Sequence, residues 1–280
     1  MSLKVRKFLR FPNFKYKALT LSYDDGLIYD EKFLEIISKY GLKATFNICS
    51  DKLFNTKKDW YLTKEQAYKL YTKYDCEVAC HGATHHPLTE VSIGKVMDEV
   101  LTCRDELEKT YKRIIRGFAY PYGVYNDEVV ETLKKCGIIY ARTVDDTNKF
   151  YIPEDFLRLN PTCRHQSPRL MELADEFVEP VDDTFFYNTY PRLFFVWGHT
   201  YEFFEDGNWE LLENFAKKVG NKEDVWYATN KEVVEYVNAY DKLEFSVDYS
   251  FVFNPTDKDI YISYKYKDYL VPKFTRVDLI

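Results

Sequence analysis

No run in the 280-residue chain approaches the roughly 20 apolar residues that a bilayer-spanning helix requires. The basic opening, Met1 to Lys17, holds no apolar stretch of the kind that marks a secretory leader. Together these absences predict no membrane partner and a cytoplasmic location, with a trimmed leader as the alternative. Cysteine is sparse, six residues in all, and without an export signal these read as thiols rather than a disulfide frame. A net charge of -6 gives no electrostatic reason to expect nucleic acid or an anionic membrane. There is no internal repeat and no low-complexity linker. Aromatic residues, by contrast, are plentiful at 18%. They mainly build cores, but around a polar cleft they also suit stacking on sugar rings.

The length allows one large domain, or a domain with an appendage. From Lys17 to about Tyr240 the chain alternates short apolar strands with amphipathic helices, the pattern of a parallel α/β fold, barrel-like or doubly wound. Asp30 is a candidate helix cap. Thr63 with Gln66, and Thr229 with Glu232, have capping-box spacing, and Asn126 is a further candidate cap. The alternation weakens between Phe150 and Pro191, where loops and a short helix around Leu170 are expected. From Lys242 the pattern becomes β: strands are expected over Phe245–Phe253, Ile260–Lys267 and Tyr269–Val277. The division is therefore residues 1–240 and a small C-terminal β appendage, 241–280.

One strand, Leu19-Thr20-Leu21-Ser22-Tyr23, runs into Asp24, Asp25 and Gly26. Its apolar run suits burial on both faces. Neighbouring strand residues point to opposite sides, so two carboxylates at a strand end can take different tasks, one on a metal and one on a proton. Histidine occurs only at His81, His85, His86, His165 and His199. His81 directly follows one strand and His199 another. In parallel α/β folds the C-terminal strand ends carry the site, so Asp24, Asp25, His81, His85, Pro121, Tyr122 and His199 are expected on one rim. In an extended strand His81 and His85 would lie about 13 Å apart. If both hold one ion, the chain must leave the strand and coil at Gly82. A zinc knot of Cys76, Cys80, His81 and His85 is disfavoured because strand spacing sends the two cysteines apart. The remaining alternative is a hydrogen-bonded core histidine.

These residues resemble the motifs of the polysaccharide deacetylases, carbohydrate esterase family four. Ser22-Tyr23-Asp24-Asp25-Gly26 is similar to the family's first motif, and His81-Gly82-Ala83-Thr84-His85 to its second. Ala119-Tyr120-Pro121-Tyr122-Gly123 is similar to its third, and Val196-Trp197-Gly198-His199 to its last. The resemblance spans about residues 17–240. It implies a distorted parallel (β/α) barrel, expected to be seven-stranded. It also implies a metal-dependent hydrolase that removes N-acetyl groups from an amino sugar, oligomeric or polymeric. By this resemblance Asp25, His81 and His85 bind one divalent ion, zinc first, with cobalt, nickel, iron or manganese as alternatives. Asp24 is then the general base and His199 the general acid, and the backbone N–H of Tyr122 helps hold the oxyanion.

The chain also departs from the family pattern. Ala119 stands where the family often carries an arginine that orients the catalytic aspartate. Arg142 is the candidate replacement and Arg116 the weaker one. Asp145 and Asp146 occupy roughly the place of a fourth motif without its tryptophan. His165 is a candidate supporting or substrate-side residue, and Tyr122, Trp197, Tyr201 and Trp209 are candidate stacking surfaces. Two rivals stand beside the sugar deacetylase: the same machinery on a non-sugar amide, cyclic imide or ureide, and an inactive carbohydrate-binding module. The expected partner is a carbohydrate or small amide, and the oligomeric state is left open.

Overall fold

A computed structural model of the chain describes residue 6 and residues 8–55, 60–181 and 190–279. The architecture follows from the central strand, β2 (Lys17–Asp24), whose eight residues are all buried. Leu19, Leu21 and Tyr23 face the helices and join their core, while Ala18, Thr20, Ser22 and Asp24 turn to the interior. The strand is covered on both faces, but its inner face is small and polar rather than apolar. Those inner groups are satisfied: Thr20 Oγ1 donates to Asn230 Oδ1 at 2.8 Å, and Asn47 Nδ2 donates to Ser22 Oγ at 2.8 Å.

Seven parallel strands follow one another across the sheet. Their order is β6 (Tyr140–Arg142), β5 (Gly117–Ala119), β4 (Glu77–Cys80), β3 (Ala44–Ile48), β2, β8 (Arg192–Gly198) and β7 (Cys163–Arg164). An eighth, β9 (Val225–Tyr227), pairs with Lys17–Leu19 of β2, end to end with β3, which pairs with Leu21–Asp24. The outer strands are stitched together by the chain around residues 159–165. Leu159 N–H donates to Ala141 O (2.9 Å) and Thr162 N–H to Phe195 O (2.8 Å), closing a distorted (β/α) barrel. The two-residue β7, inside the stretch read as loops, carries no periodicity of its own.

Helices α1 (Asp30–Ser38), α3 (Lys64–Lys73), α4 (Ile93–Tyr111), α5 (Asp127–Lys135), α6 (Leu170–Val178), α8 (Trp209–Val219) and α9 (Asn230–Tyr240) surround the sheet, with short α2 (Ser50–Asn55) and α7 (Thr200–Glu205) at its upper rim. The caps at Thr63/Gln66, Asn126 and Thr229/Glu232 form as the sequence predicts. Asp30 does not cap α1. It is the helix's first residue, buried, and accepts from Leu27 N–H (3.1 Å), Tyr71 Oη (2.6 Å) and Thr200 Oγ1 (2.5 Å). Among the described residues no helix is long and apolar enough to cross a membrane. All six cysteines are unpaired by disulfides.

The C-terminal strands are shorter than expected. Phe245–Phe253 breaks into β10 (Glu244–Phe245) and β11 (Phe251–Phe253), because Asp248 Oδ1 accepts from Ser246 Oγ and Ser250 N–H and holds a turn. Lys265 and Tyr266, both at positive φ, separate β12 (Ile260–Tyr264) from β13 (Lys267–Val271) as a two-residue hairpin turn. The last strand is β14 (Arg276–Asp278). Near the other end of the chain, β1 (Leu9–Arg10) pairs antiparallel with β12. Val252, Ile260 and Val271 share one core with Ala18, Ala79, Tyr140 and Phe195 of the barrel strands and Val233 of α9.

Candidate active site

Alternation along adjacent parallel strands brings Asp24, Asn47, Arg142 and Trp197 to the inner face at the C-terminal rim, where they border or support a cleft of about 620 Å³. Asp25 sits just past β2 at φ 81°, a left-handed conformation that aspartate tolerates better than most residues. With Gly26 at φ 72°, the chain turns sharply, and both neighbouring carboxylates reach the same cleft. A side chain at Gly26 would also press on Ile48 and Leu53, 3.0 and 3.2 Å from its Cβ.

Asp24 is fully enclosed. Its Oδ1 accepts from Asn47 Nδ2 at 2.8 Å, and its Oδ2 is ion-paired with Arg142 Nη2. His81 Nε2 and His199 Nε2 each lie 3.8 Å from that same Oδ2. Burial alone pushes the carboxyl up, but Arg142, the two imidazoles and Asn47 outweigh it and hold it at about 2. Asp24 is therefore ionised throughout the neutral range. Arg142, wholly buried, also lies 4.6 Å from the Trp197 ring centre. Arg116, the weaker candidate, donates instead to Gly137 O on the surface.

His81 Nδ1 is 2.8 Å from Ala119 O, a contact that places the proton on Nδ1 and leaves the Nε2 lone pair facing the cleft. The chain then turns at Gly82 (φ 76°). Buried Glu99 of α4 secures that turn by accepting from Thr84 N–H (2.8 Å) and Thr84 Oγ1 (2.6 Å). His85 returns at φ 66° with its Nε2 3.1 Å from His81 Nε2. Burial, then the neighbouring His81 and Lys52, lower the His85 imidazole to about 3, so it is a neutral nitrogen donor. The coil at Gly82 is a turn held by Glu99 rather than a helix.

Two imidazole nitrogens meeting at 3.1 Å beside a carboxylate form a donor set suited to a divalent cation. One donor atom from each of Asp25, Cys49, His81 and His85 lies within 4.8 Å of the others. Asp25 Oδ1 is ion-paired with Lys52 Nζ of α2 at 2.8 Å. Cys49 Sγ donates to His81 O at 3.0 Å.

His199 is the residue before α7. Its Nδ1 lies 3.1 Å from Glu202 Oε1, its N–H donates to Glu202 Oε2 (3.2 Å), and its Nε2 is aimed toward Asp24. Burial pulls the His199 imidazolium down, and Asp24 and Asp25 act against that shift. Glu202 is buried and also ion-paired with Arg164. Sequence reading missed Glu202, although His199-x-x-Glu202 has capping-box spacing directly behind a motif.

His165 lies behind the cleft rather than in its wall. It is buried between the rings of Tyr23 (5.6 Å) and Phe203 (4.0 Å), with Nε2 3.4 Å from Glu202 Oε2, and burial lowers it to about 3. Asp146, named in the sequence at the place of a fourth motif but set aside for want of its tryptophan, accepts from Trp197 Nε1 through Oδ1 at 2.8 Å and orients that ring in the cleft wall. Pro121 starts the tight turn that carries Tyr122. Tyr122 is 65% exposed, at φ 57°, with its ring 4.6 Å from that of His85. Tyr201 lines the cleft, whereas Trp209 packs on Phe203 away from it.

Residues 12–141 match the polysaccharide deacetylase family. A poly-β-1,6-N-acetyl-D-glucosamine N-deacetylase of Staphylococcus epidermidis is 25% identical over 159 residues, covering 51% of this chain and 55% of that protein. The chain thus spans about half the length of this curated relative. The fold is similar to that of the CE4 domain of a multidomain xylanase from the hindgut metagenome of Trinervitermes trinervoides. That match has a TM-score of 0.54 at 15% identity, over 82% of this chain and 96% of the other. It is also similar to a CE4-family pseudoenzyme of Bacillus anthracis, with a TM-score of 0.50 at 20% identity, over 81% and 68%. With four motifs in order on the rim of a distorted (β/α) barrel and a family match across the first three, the chain is similar to the polysaccharide deacetylase family over residues 12–141.

Proposed function

We propose that the chain is a metal-dependent hydrolase that removes N-acetyl groups from an amino-sugar glycan. The observation that supports this most is the meeting, at one rim, of an arginine-clamped Asp24 with the paired imidazoles of His81 and His85. Asp25, His81 and His85 would hold the ion. When bound, it would polarise the acetamide carbonyl and ease deprotonation of the attacking water.

The chain's own residues do the rest. Asp24, held ionised by Arg142, accepts the proton from water through its Oδ2 side. A carboxylate with so low a pKa is a weak base, and it suffices where the water is already acidified. His199 Nε2–H donates to the departing nitrogen as the C–N bond breaks, and Glu202 at Nδ1 fixes the ring and stabilises its charged form. Buried Arg142 and Asn47 prevent Asp24 from rotating away. Tyr122 and Trp197 line the cleft, and the exposed ring of Tyr122 would offer an aromatic face to a sugar ring.

The test pairs elemental analysis of wild type and His81→Ala with acetate release from N-acetylglucosamine oligomers, β-1,6-linked ones included. About one metal ion per chain, lost in the variant together with acetate release, supports the reading. Bound metal without acetate release from any N-acetylated glycan overturns the sugar substrate. A wild-type protein that takes up no zinc, cobalt or nickel overturns the metal mechanism.

A further inference from the structure

Strands β2, β3 and β4 are neighbours in one parallel sheet, so their C-terminal ends lie side by side at the cleft. Asp25 directly follows the first, Cys49 the second and His81 the third. The turn secured by Glu99 then brings His85 back to the same place. We propose that Cys49 is a fourth protein ligand of the metal centre, giving an aspartate, cysteine and two histidine set. This rests on the reading of Asp25, His81 and His85 as the ion's ligands.

The geometry carries the argument. Cys49 is wholly buried, and its Sγ is held 3.0 Å from the backbone carbonyl of His81 itself. That hydrogen bond holds the thiol, before any metal binds, beside one of the other ligand residues. Zinc bonds of about 2.0 Å to nitrogen and 2.3 Å to sulfur put tetrahedral donors roughly 3.3–3.8 Å apart. Here the two Nε2 atoms are 3.1 Å apart, and all four donors lie within 4.8 Å of one another. An ion can therefore engage all four after shifts of about an ångström. Ligation would require the Cys49 thiol to give up its proton, and with it the hydrogen bond to His81 O. Four protein ligands would still leave room for substrate, since a catalytic zinc can accept a fifth ligand. A sulfur donor also favours zinc over the harder manganese.

The test uses the full chain, stripped of metal and loaded with cobalt(II), with stoichiometry fixed by elemental analysis. A cobalt-bound thiolate gives a near-ultraviolet charge-transfer absorption that nitrogen and oxygen ligands do not. Wild type should show it. Cys49→Ala should still take up about one cobalt yet lack the absorption, and should bind zinc at least about tenfold more weakly. Cys49→Ser serves the same purpose if the alanine variant does not fold. Cys103→Ala, which removes a nearby buried thiol that donates to Ile48 O, should retain the absorption. One bound cobalt without the absorption in wild type, or an unchanged absorption in the Cys49 variants, overturns Cys49 as a ligand and leaves the three-ligand centre standing. No cobalt uptake by wild type overturns the metal centre itself.

Discussion

Arg142 Nη2 is ion-paired with Asp24 Oδ2 at the barrel mouth, although 118 residues separate the two in sequence. Both side chains are essentially inaccessible, at 0% and 3% exposure, so neither charge has water to fall back on. Arg142→Ala should therefore cost about 3–5 kcal/mol, because a buried carboxylate loses its partner. Urea unfolding of the metal-free protein at pH 7 measures it. A loss below about 1 kcal/mol would mean that Asp24 finds another cation or takes up a proton.

Glu202→Gln keeps the size of the side chain while removing the negative charge 3.1 Å from His199 Nδ1. The expected result is a fall in kcat on the order of a hundredfold with KM and metal content unchanged. The basic limb of the kcat profile should also move to lower pH, since the imidazolium loses a stabilising carboxylate. A uniform loss with no displacement of that limb would reduce Glu202 to a helix cap.

Asp30 gives a stability prediction of defined sign. Burial raises its folded pKa to about 7 despite hydrogen bonds from Thr200, Tyr71 and Leu27, and the negative charge of Asp25 adds to the rise. Between the unfolded value of about 4 and about 7, the folded state holds a proton that the unfolded state has lost. Its contribution is fully present below pH 4, falls as pH rises to about 7, and is flat above. Asp30→Asn should remove on the order of 3–4 kcal/mol of that pH dependence. Urea midpoints at pH 4.5 and 7.5 that move in parallel for both proteins would contradict it.

Tyr122 combines exposure with a left-handed backbone, φ 57°, that an aromatic residue adopts at a cost of about 1 kcal/mol. Tyr122→Gly should raise thermal stability slightly while weakening glycan binding, seen as a higher KM. Loss of stability together with unchanged KM would show that its ring packs for the fold alone.

The residues of the four motifs were legible because each stands at the end of a short apolar strand, a local pattern. So were the caps at Thr63, Asn126 and Thr229, whose partners lie three residues away. Partnerships over long distances were not. Arg142 could be named only as a candidate, since nothing local ties it to Asp24, and Glu99 reaches the turn at Thr84 from α4. Two-residue β7 has too little sequence to show a period, and the break between β10 and β11 depends on one Asp248 turn. Cys49 was read with the other cysteines as a plain thiol, because its place beside Asp25 and His81 exists only once three strands align.

The pairing of β1 with β12 ties the beginning of the described chain to its C-terminal strands. Leu9, Phe11 and Leu279 are all buried in the one core that Ala18, Tyr140 and Phe195 of the barrel strands share with Val252, Ile260 and Val271. Fraying of either segment would therefore expose the same core that backs the barrel strands.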